Sequence, residues 1–347
     1  APMLALRKSR PGTGGLSLDQ IESPDTLAPG QVRLRVLNAG ICGTDLHIYK
    51  WVPFAHRMKL PTVLGHEMCG LIEAVGAAVT RVAPGMRVAV ESHVPCGRCY
   101  TCNRGWAHVC PNTRYPGVDF DGGFAARTIL PETILWPVPD EIPTAVAAMM
   151  EPFGIAVHAS LEGSGVSGQN VVVAGCGPIG LMNIAAARAL GANRVIATDV
   201  NPLRLKMALT MGADQAINVA ETDPRAIVLD LTHGRGADVA IEYSGHANSL
   251  AGLAGLVTNG GEIRLLGVPE GETSLNLEPW LLRGLIVRNL HGRRLFSTWE
   301  NATTLLAERK VDIAPLVSHV LPLAEAMQGF EACLSGNAVK VLFDTSA

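Results

Sequence analysis

The chain has 347 residues, 48% of them hydrophobic and 17% charged, with a formal net charge of −3. That length suits two domains with sizeable cores. The balance argues against a nucleic-acid binder, whose affinity rests on clustered Lys and Arg, and no apolar run reaches the roughly 18 residues of a membrane span.

The segment Ala1 to Arg10 lacks the apolar h-region of a secretory leader. The first 150 or so residues are rich in Gly and Pro, with short β-branched runs such as Val32-Arg33-Leu34-Arg35-Val36 and Arg87-Val88-Ala89-Val90. The alternation in the first run is that of a half-buried strand, and this half reads as antiparallel β with long functional loops. The texture changes near Glu151-Pro152-Phe153. Val171-Val172-Val173-Ala174 is a fully apolar strand, followed by a Gly-rich turn and an Ala-rich helix to Ala189-Leu190. Arg194–Asp199, Val239–Glu242 and Ile263–Leu266 continue a strand–helix alternation that predicts a doubly wound parallel sheet. A polar helix is expected near Glu300 to Lys310, and Val339–Phe343 reads as a strand that returns to the first domain.

Three groups of residues carry chemistry. Cys96, Cys99, Cys102 and Cys110 have the spacing of an all-sulfur tetrahedral site for a structural Zn2+, with Pro95, Gly97 and Gly105 supplying tight turns. The competing reading of those thiols is a pair of disulfides in a secreted domain, which the metal-type spacing and the lack of an expected secretory leader disfavour. Cys42, His66, Glu67 and Glu151 supply the donor types of a catalytic zinc, which takes three protein ligands and keeps one open position. Gly175-x-Gly177-x-x-Gly180 follows a strand and opens a helix, and Asp199 ends the next strand. These are the parts of a dinucleotide site: a tight turn, backbone that approaches the pyrophosphate, a helix N-terminus, and a carboxylate for the ribose. The charge of Asp199 favours NAD over NADP, and Arg204 is placed to cover the adenine or touch the ribose.

On Gly65-His66-Glu67, the four-cysteine knuckle and the Gly175–Gly180 turn, the chain resembles the zinc-containing medium-chain alcohol dehydrogenases. Cys42–Tyr49, Glu91-Ser92-His93, Glu151–Gly154 and Gly292–Trp299 are most similar to the threonine dehydrogenase branch of that superfamily. The resemblance implies a GroES-like catalytic domain over 1–152 and 294–347, and a Rossmann domain over 153–293. It implies two Zn2+ per subunit, one structural and one catalytic, the latter on Cys42, His66 and Glu67 with Glu151 as an exchangeable or proton-relay ligand. It implies Thr44 and His47 as a proton relay and His93 in the substrate pocket. NAD contacts are implied at Ile179, Asp199, Arg204, Leu266, Gly267, Val268, Leu290 and His291.

The implied reaction is oxidation of a secondary alcohol, L-threonine to 2-amino-3-oxobutanoate, by a cytoplasmic homo-oligomer, tetramer or dimer. One position departs from the branch: Ile155 stands where Asn usually follows Glu-Pro-Phe-Gly. It favours an alternative small-molecule substrate, a polyol, a 2,3-diol or a bulkier cyclic secondary alcohol. Two other classes, a non-catalytic dinucleotide binder and a zinc-ribbon nucleic-acid binder, conflict with the full set of candidate ligands and with the charge balance respectively.

Overall fold

The computed structural model describes residues 2–345. By their contacts the residues cluster into two compact units, one of Ala1–Pro152 with Arg294–Ala307 and Val317–Ala347, the other of Phe153–Arg293 with Glu308–Leu316.

The first unit is mostly antiparallel β. Its larger sheet runs in the order Val317–Pro322, Lys340–Asp344, Gln31–Gly40, Glu67–Val75, Arg87–Val90, Leu135–Pro137, and Arg127–Pro131 also pairs with Gln31–Gly40. Only the pairing of Val317–Pro322 with Lys340–Asp344 is parallel in that sheet. A second sheet joins Leu16–Glu22, Pro2–Lys8 and Thr62–Val63. The expected alternation holds: Val32, Leu34 and Val36 are fully buried, with the Arg side chains between them half-buried. They pack with Leu6, Ile48, Phe124, Phe330 and Phe343 in one core. The returning strand is Lys340–Asp344, and it places Leu342 opposite Gly40, two residues before Cys42.

The second unit is a six-stranded parallel sheet in the order Gln215–Asn218, Arg194–Asp199, Asn170–Ala174, Ala237–Glu242, Val257–Leu265, Ile286–Asn289. This is the doubly wound arrangement, with the chain's direction of winding reversing between Asn170–Ala174 and Ala237–Glu242. Every residue of Asn170–Ala174 is buried, as a central parallel strand covered on both faces requires. The helix Pro178–Ala189 follows it and buries Gly180 through Ala187.

The late helix spans Ser297–Ala307, earlier than the polarity of Glu300 to Lys310 predicts. Thr298 and Trp299 belong to its buried face together with Ala302, Leu305 and Leu306, and that burial sets the helix start.

Candidate active site

The knuckle is assembled by short-range structure. Gly97 and Gly105 adopt φ of 72° and 78°, the left-handed region that permits the expected turns. Sγ–Sγ separations are 3.5 Å for Cys99–Cys102, 3.6 Å for Cys110–Cys96 and 3.7 Å for Cys99–Cys110. Thiolates about 2.3 Å from a tetrahedral ion lie about 3.8 Å apart, whereas disulfide sulfurs lie about 2 Å apart. The thiols are therefore spaced for zinc, and among the described residues no cysteine is in a disulfide. Backbone N–H groups of Cys102 and Asn112 point at Cys99 Sγ and Cys110 Sγ, at 3.5 and 3.4 Å. Such donors favour thiolate; the backbone N–H of Arg98 and its neighbours hold Cys96 down to about 6.

The second group is built around the helix Gly43–Lys50. Cys42 is its N-cap, and Asp45 accepts the Cys42 N–H at 2.9 Å in a capping box. Asp45, fully buried, thus holds a turn. Gly65, at φ 92°, turns the chain between Thr62–Val63 and Glu67–Val75, and a Cβ there would lie 2.5 Å from Phe124. That turn presents His66, and the next residue, Glu67, opens the strand. One ligand atom from each of Cys42, His66 and Glu67 lies within 4.8 Å of the others.

This group is largely buried and rich in acids. Burial pushes the Cys42 thiol up, and the neighbouring Glu67 adds to the shift. Burial also pushes the Glu67 carboxyl up, Lys340 opposes it, and Glu151 adds to it. Burial disfavours charge on His66, yet Cys42, Asp45 and Glu151 carry its imidazole well above the ordinary value. A buried concentration of anionic donors of mixed S, N and O type fits a divalent zinc. Thr44, half-buried on the same helix, sits with Oγ1 3.8 Å from Cys42 Sγ. His47 lies one turn further on and is half-buried.

Sequence reasoning missed Lys340. Its fully buried ammonium pairs with Glu67 and donates to the Ile41 carbonyl at 2.8 Å. No local signal points to it, since a single Lys in an apolar C-terminal strand carries no spacing.

A third cluster adjoins Glu151. Ligand-type atoms of Glu91, His93 and Glu151 lie within 4.8 Å of one another. Ser92 Oγ donates to Glu151 Oε1 at 2.6 Å, and Glu91 Oε1 is 2.8 Å from His93 Nδ1. All of these side chains are buried, and His93 lies beside Glu151.

In the second unit the Gly-rich turn has the required shape. Gly175 is at φ 93° with a hypothetical Cβ 2.8 Å from Ser244 N, and a Cβ on Gly180 would lie 2.0 Å from the Gly175 carbonyl. Gly177 differs, because a Cβ there would meet nothing within 4 Å. The first and third glycines serve chain packing, and the second leaves backbone open for close approach of a phosphate. Pro178 opens the helix, leaving N-terminal N–H groups for an anion. Ile179 is half-buried on its first turn.

Asp199 has a role beyond the expected one. Its Oδ2 accepts from Cys176 N at 2.7 Å, and its Oδ1 accepts from Val200 N and Asn201 N at 2.7 and 2.8 Å. The carboxylate ties the Gly-rich turn to the end of the next strand. Arg204 Nε is buried with no hydrogen-bond partner, an orphan that a polar ligand would satisfy. Leu266 and Gly267 donate to the Glu242 carbonyl at 3.0 and 2.9 Å, and Val268 beyond them is exposed. Leu290 donates to the Leu265 carbonyl, and His291 follows it, exposed, at the end of the last strand.

Residues 28–140 match the alcohol dehydrogenase GroES-like domain, and residues 178–308 match the zinc-binding dehydrogenase domain. A protein of Bacillus subtilis named L-threonine 3-dehydrogenase is 40% identical over 98% of this chain and 98% of its own. The chain belongs to the zinc-dependent medium-chain alcohol dehydrogenase family.

Its fold is that of the family's solved structures. An alcohol dehydrogenase from a Thermus species superposes with a TM-score of 0.90 at 30% identity, covering 99% of each chain. A putative zinc-binding dehydrogenase from Sinorhizobium meliloti 1021, bound to NADP, superposes with a TM-score of 0.91 at 29% identity, again over 99% of each chain. As a member of the family the protein is an enzyme, a zinc-dependent oxidoreductase. Among the described residues no helix is long and apolar enough to cross a membrane.

Proposed function

We propose that the protein oxidises the secondary hydroxyl of L-threonine to the ketone of 2-amino-3-oxobutanoate, with NAD+ as hydride acceptor. The observation that carries this reading is the convergence of Cys42, His66 and Glu67 within 4.8 Å in a buried, acid-rich setting. The 40% identity to an L-threonine 3-dehydrogenase supports the choice of alcohol. Cys42, His66 and Glu67 hold the catalytic zinc, with Glu151 as the exchangeable ligand, and Cys96, Cys99, Cys102 and Cys110 hold the structural one. When bound, the catalytic zinc supplies Lewis-acid polarisation of the hydroxyl, and NAD+ supplies the acceptor.

The side chains do the rest. Thr44 Oγ1, next to Cys42 Sγ, accepts the hydroxyl proton. His47, one helical turn on, delivers it to water, because imidazole exchanges protons near neutral pH. His93 meets the amine and carboxylate end of the substrate. In the second unit the Gly177 backbone and the helix N-terminus hold the pyrophosphate. Asp199 receives the ribose hydroxyls and repels a 2′-phosphate, Arg204 covers the adenine side, and Ile179, Leu266 to Val268, Leu290 and His291 line the rest.

Eight cysteines with no disulfide among the described residues support a cytoplasmic setting. Exposed Ile286 and Val287 on the edge strand, with exposed Leu281 and Leu282 on the helix Glu278–Leu282 before it, support a homo-oligomer, tetramer or dimer. A second reading, a polyol, 2,3-diol or cyclic alcohol as substrate, is favoured by Ile155 alone. An NAD+ reduction screen over L-threonine, 2,3-butanediol, polyols and cyclic secondary alcohols decides between them. Turnover of the diols with none of L-threonine overturns the first reading.

A further inference from the structure

Glu91 directly follows the strand Arg87–Val90, and its carboxylate is fully buried. Oε1 accepts from the backbone N–H of His93 at 2.8 Å and faces His93 Nδ1 at the same distance. Oε2 accepts from the indole Nε1 of Trp299 at 2.6 Å, across 208 residues of sequence. Trp299 is itself wholly buried. It packs 6.0 Å from Trp136, which stacks on Phe296 at 5.6 Å and donates through Nε1 to Thr303 on the same helix as Trp299. Swinging the indole away would break its hydrogen bond to Glu91 and its packing against Trp136. On its other side, His93 meets the edge of Tyr115, with ring centres 5.1 Å apart at 72°.

We propose that Glu91, anchored by Trp299, is a positioning residue that fixes the ring plane and tautomer of His93 for recognition of an amino-alcohol substrate. A carboxylate accepts and does not donate, so the nitrogen facing it carries the proton. With Nδ1 protonated, Nε2 is the accepting nitrogen of the neutral ring. An accepting nitrogen suits a donor group such as the ammonium of an α-amino alcohol. A buried indole N–H is a fixed donor that orients the carboxylate through Oε2 and leaves Oε1 to the imidazole. The inference rests on the substrate reading above and adds to it the residues that set the geometry of His93.

Two variants test it: Trp299→Phe keeps the aromatic bulk and removes the N–H, and Glu91→Gln replaces an acceptor-only group with one that donates. The first measurement is 15N NMR of the histidine side chains in substrate-free protein. The wild type is expected to show His93 with Nδ1 protonated, and Glu91→Gln is expected to redistribute the proton toward Nε2. The second is steady-state kinetics, where both variants should raise KM for L-threonine tenfold or more, with a smaller change in kcat. For an uncharged secondary alcohol KM should change less than threefold. Glu91→Asp should recover part of the loss. Wild-type His93 spectra in Glu91→Gln, or an unchanged KM in both variants, overturns the proposal. If the wild type turns over no L-threonine, the substrate reading has failed on its own, and the NMR measurement still decides whether Glu91 sets the tautomer.

Discussion

Lys340 and Glu67 form a buried ion pair between residues 273 positions apart, each side chain about 1% exposed. The pair places a C-terminal strand residue against a candidate metal ligand. Removing one member strands the other charge in a dry core, which costs about 3–5 kcal/mol. In zinc-free protein, Lys340→Met should lower stability to denaturant by that amount, and adding Glu67→Gln should recover most of it. A loss below about 1 kcal/mol in Lys340→Met would show that water reaches the pair.

Asp199 braces the Gly-rich turn, a task separate from the cofactor contact proposed for it. Asp199→Ala removes the acceptor of three backbone N–H groups, so a stability loss of about 1–2 kcal/mol accompanies its effect on binding. Calorimetric titration should find NAD+ weakened at least tenfold more than NADP+. Equal weakening of both would confine Asp199 to its structural task.

The knuckle thiols should differ in reactivity from the buried ones. In chelator-stripped protein at neutral pH, iodoacetamide should label Cys96 first, since neighbouring backbone N–H groups favour its thiolate. Cys69, whose thiol burial pushes up to about 12, should stay unlabelled until unfolding. Added zinc should protect Cys96, Cys99, Cys102 and Cys110 together, as peptide mapping by mass spectrometry would reveal. Cys102→Ser should lower bound zinc by one equivalent per chain.

Acid should weaken the first unit through Glu73. The hydrogen bond from Arg127, at 2.8 Å, and the nearby Arg33 and Arg35 hold its carboxyl below the usual range. A depressed acid contributes stability above its unfolded pKa of about 4.3 and loses it as pH falls through the folded value. Glu73→Gln should therefore flatten the melting temperature below about pH 4.5, while costing less than about 1 kcal/mol at neutrality because the cluster is partly exposed.

The parts that were legible from sequence are those whose partners lie close along the chain. Cys96 to Cys110 reads as a site because four thiols share one short loop, and Gly175–Gly180 because a turn, a strand and a helix meet there. Asp199 was found by its distance from that turn, although its hold on Cys176 N is visible only in three dimensions. Lys340 against Glu67 and Trp299 against Glu91 were invisible, because neither residue sits in a periodic pattern that names its partner. The early start of Ser297–Ala307 escaped for a related reason: polarity locates a helix's exposed side, whereas burial of Trp299 sets where it begins.

The two zinc sites differ in how far the chain must travel to build them. The furthest-separated thiols in contact within the knuckle are 14 positions apart, whereas Glu67 gains its counter-charge only when a strand 273 positions later docks. Closing a short loop costs less entropy than closing a long one, and local contacts form sooner. On loop-closure entropy alone, the four-thiol loop is the cheaper of the two groups to assemble, and the Cys42–His66–Glu67 group, with its Lys340 counter-charge, needs the whole first unit in place.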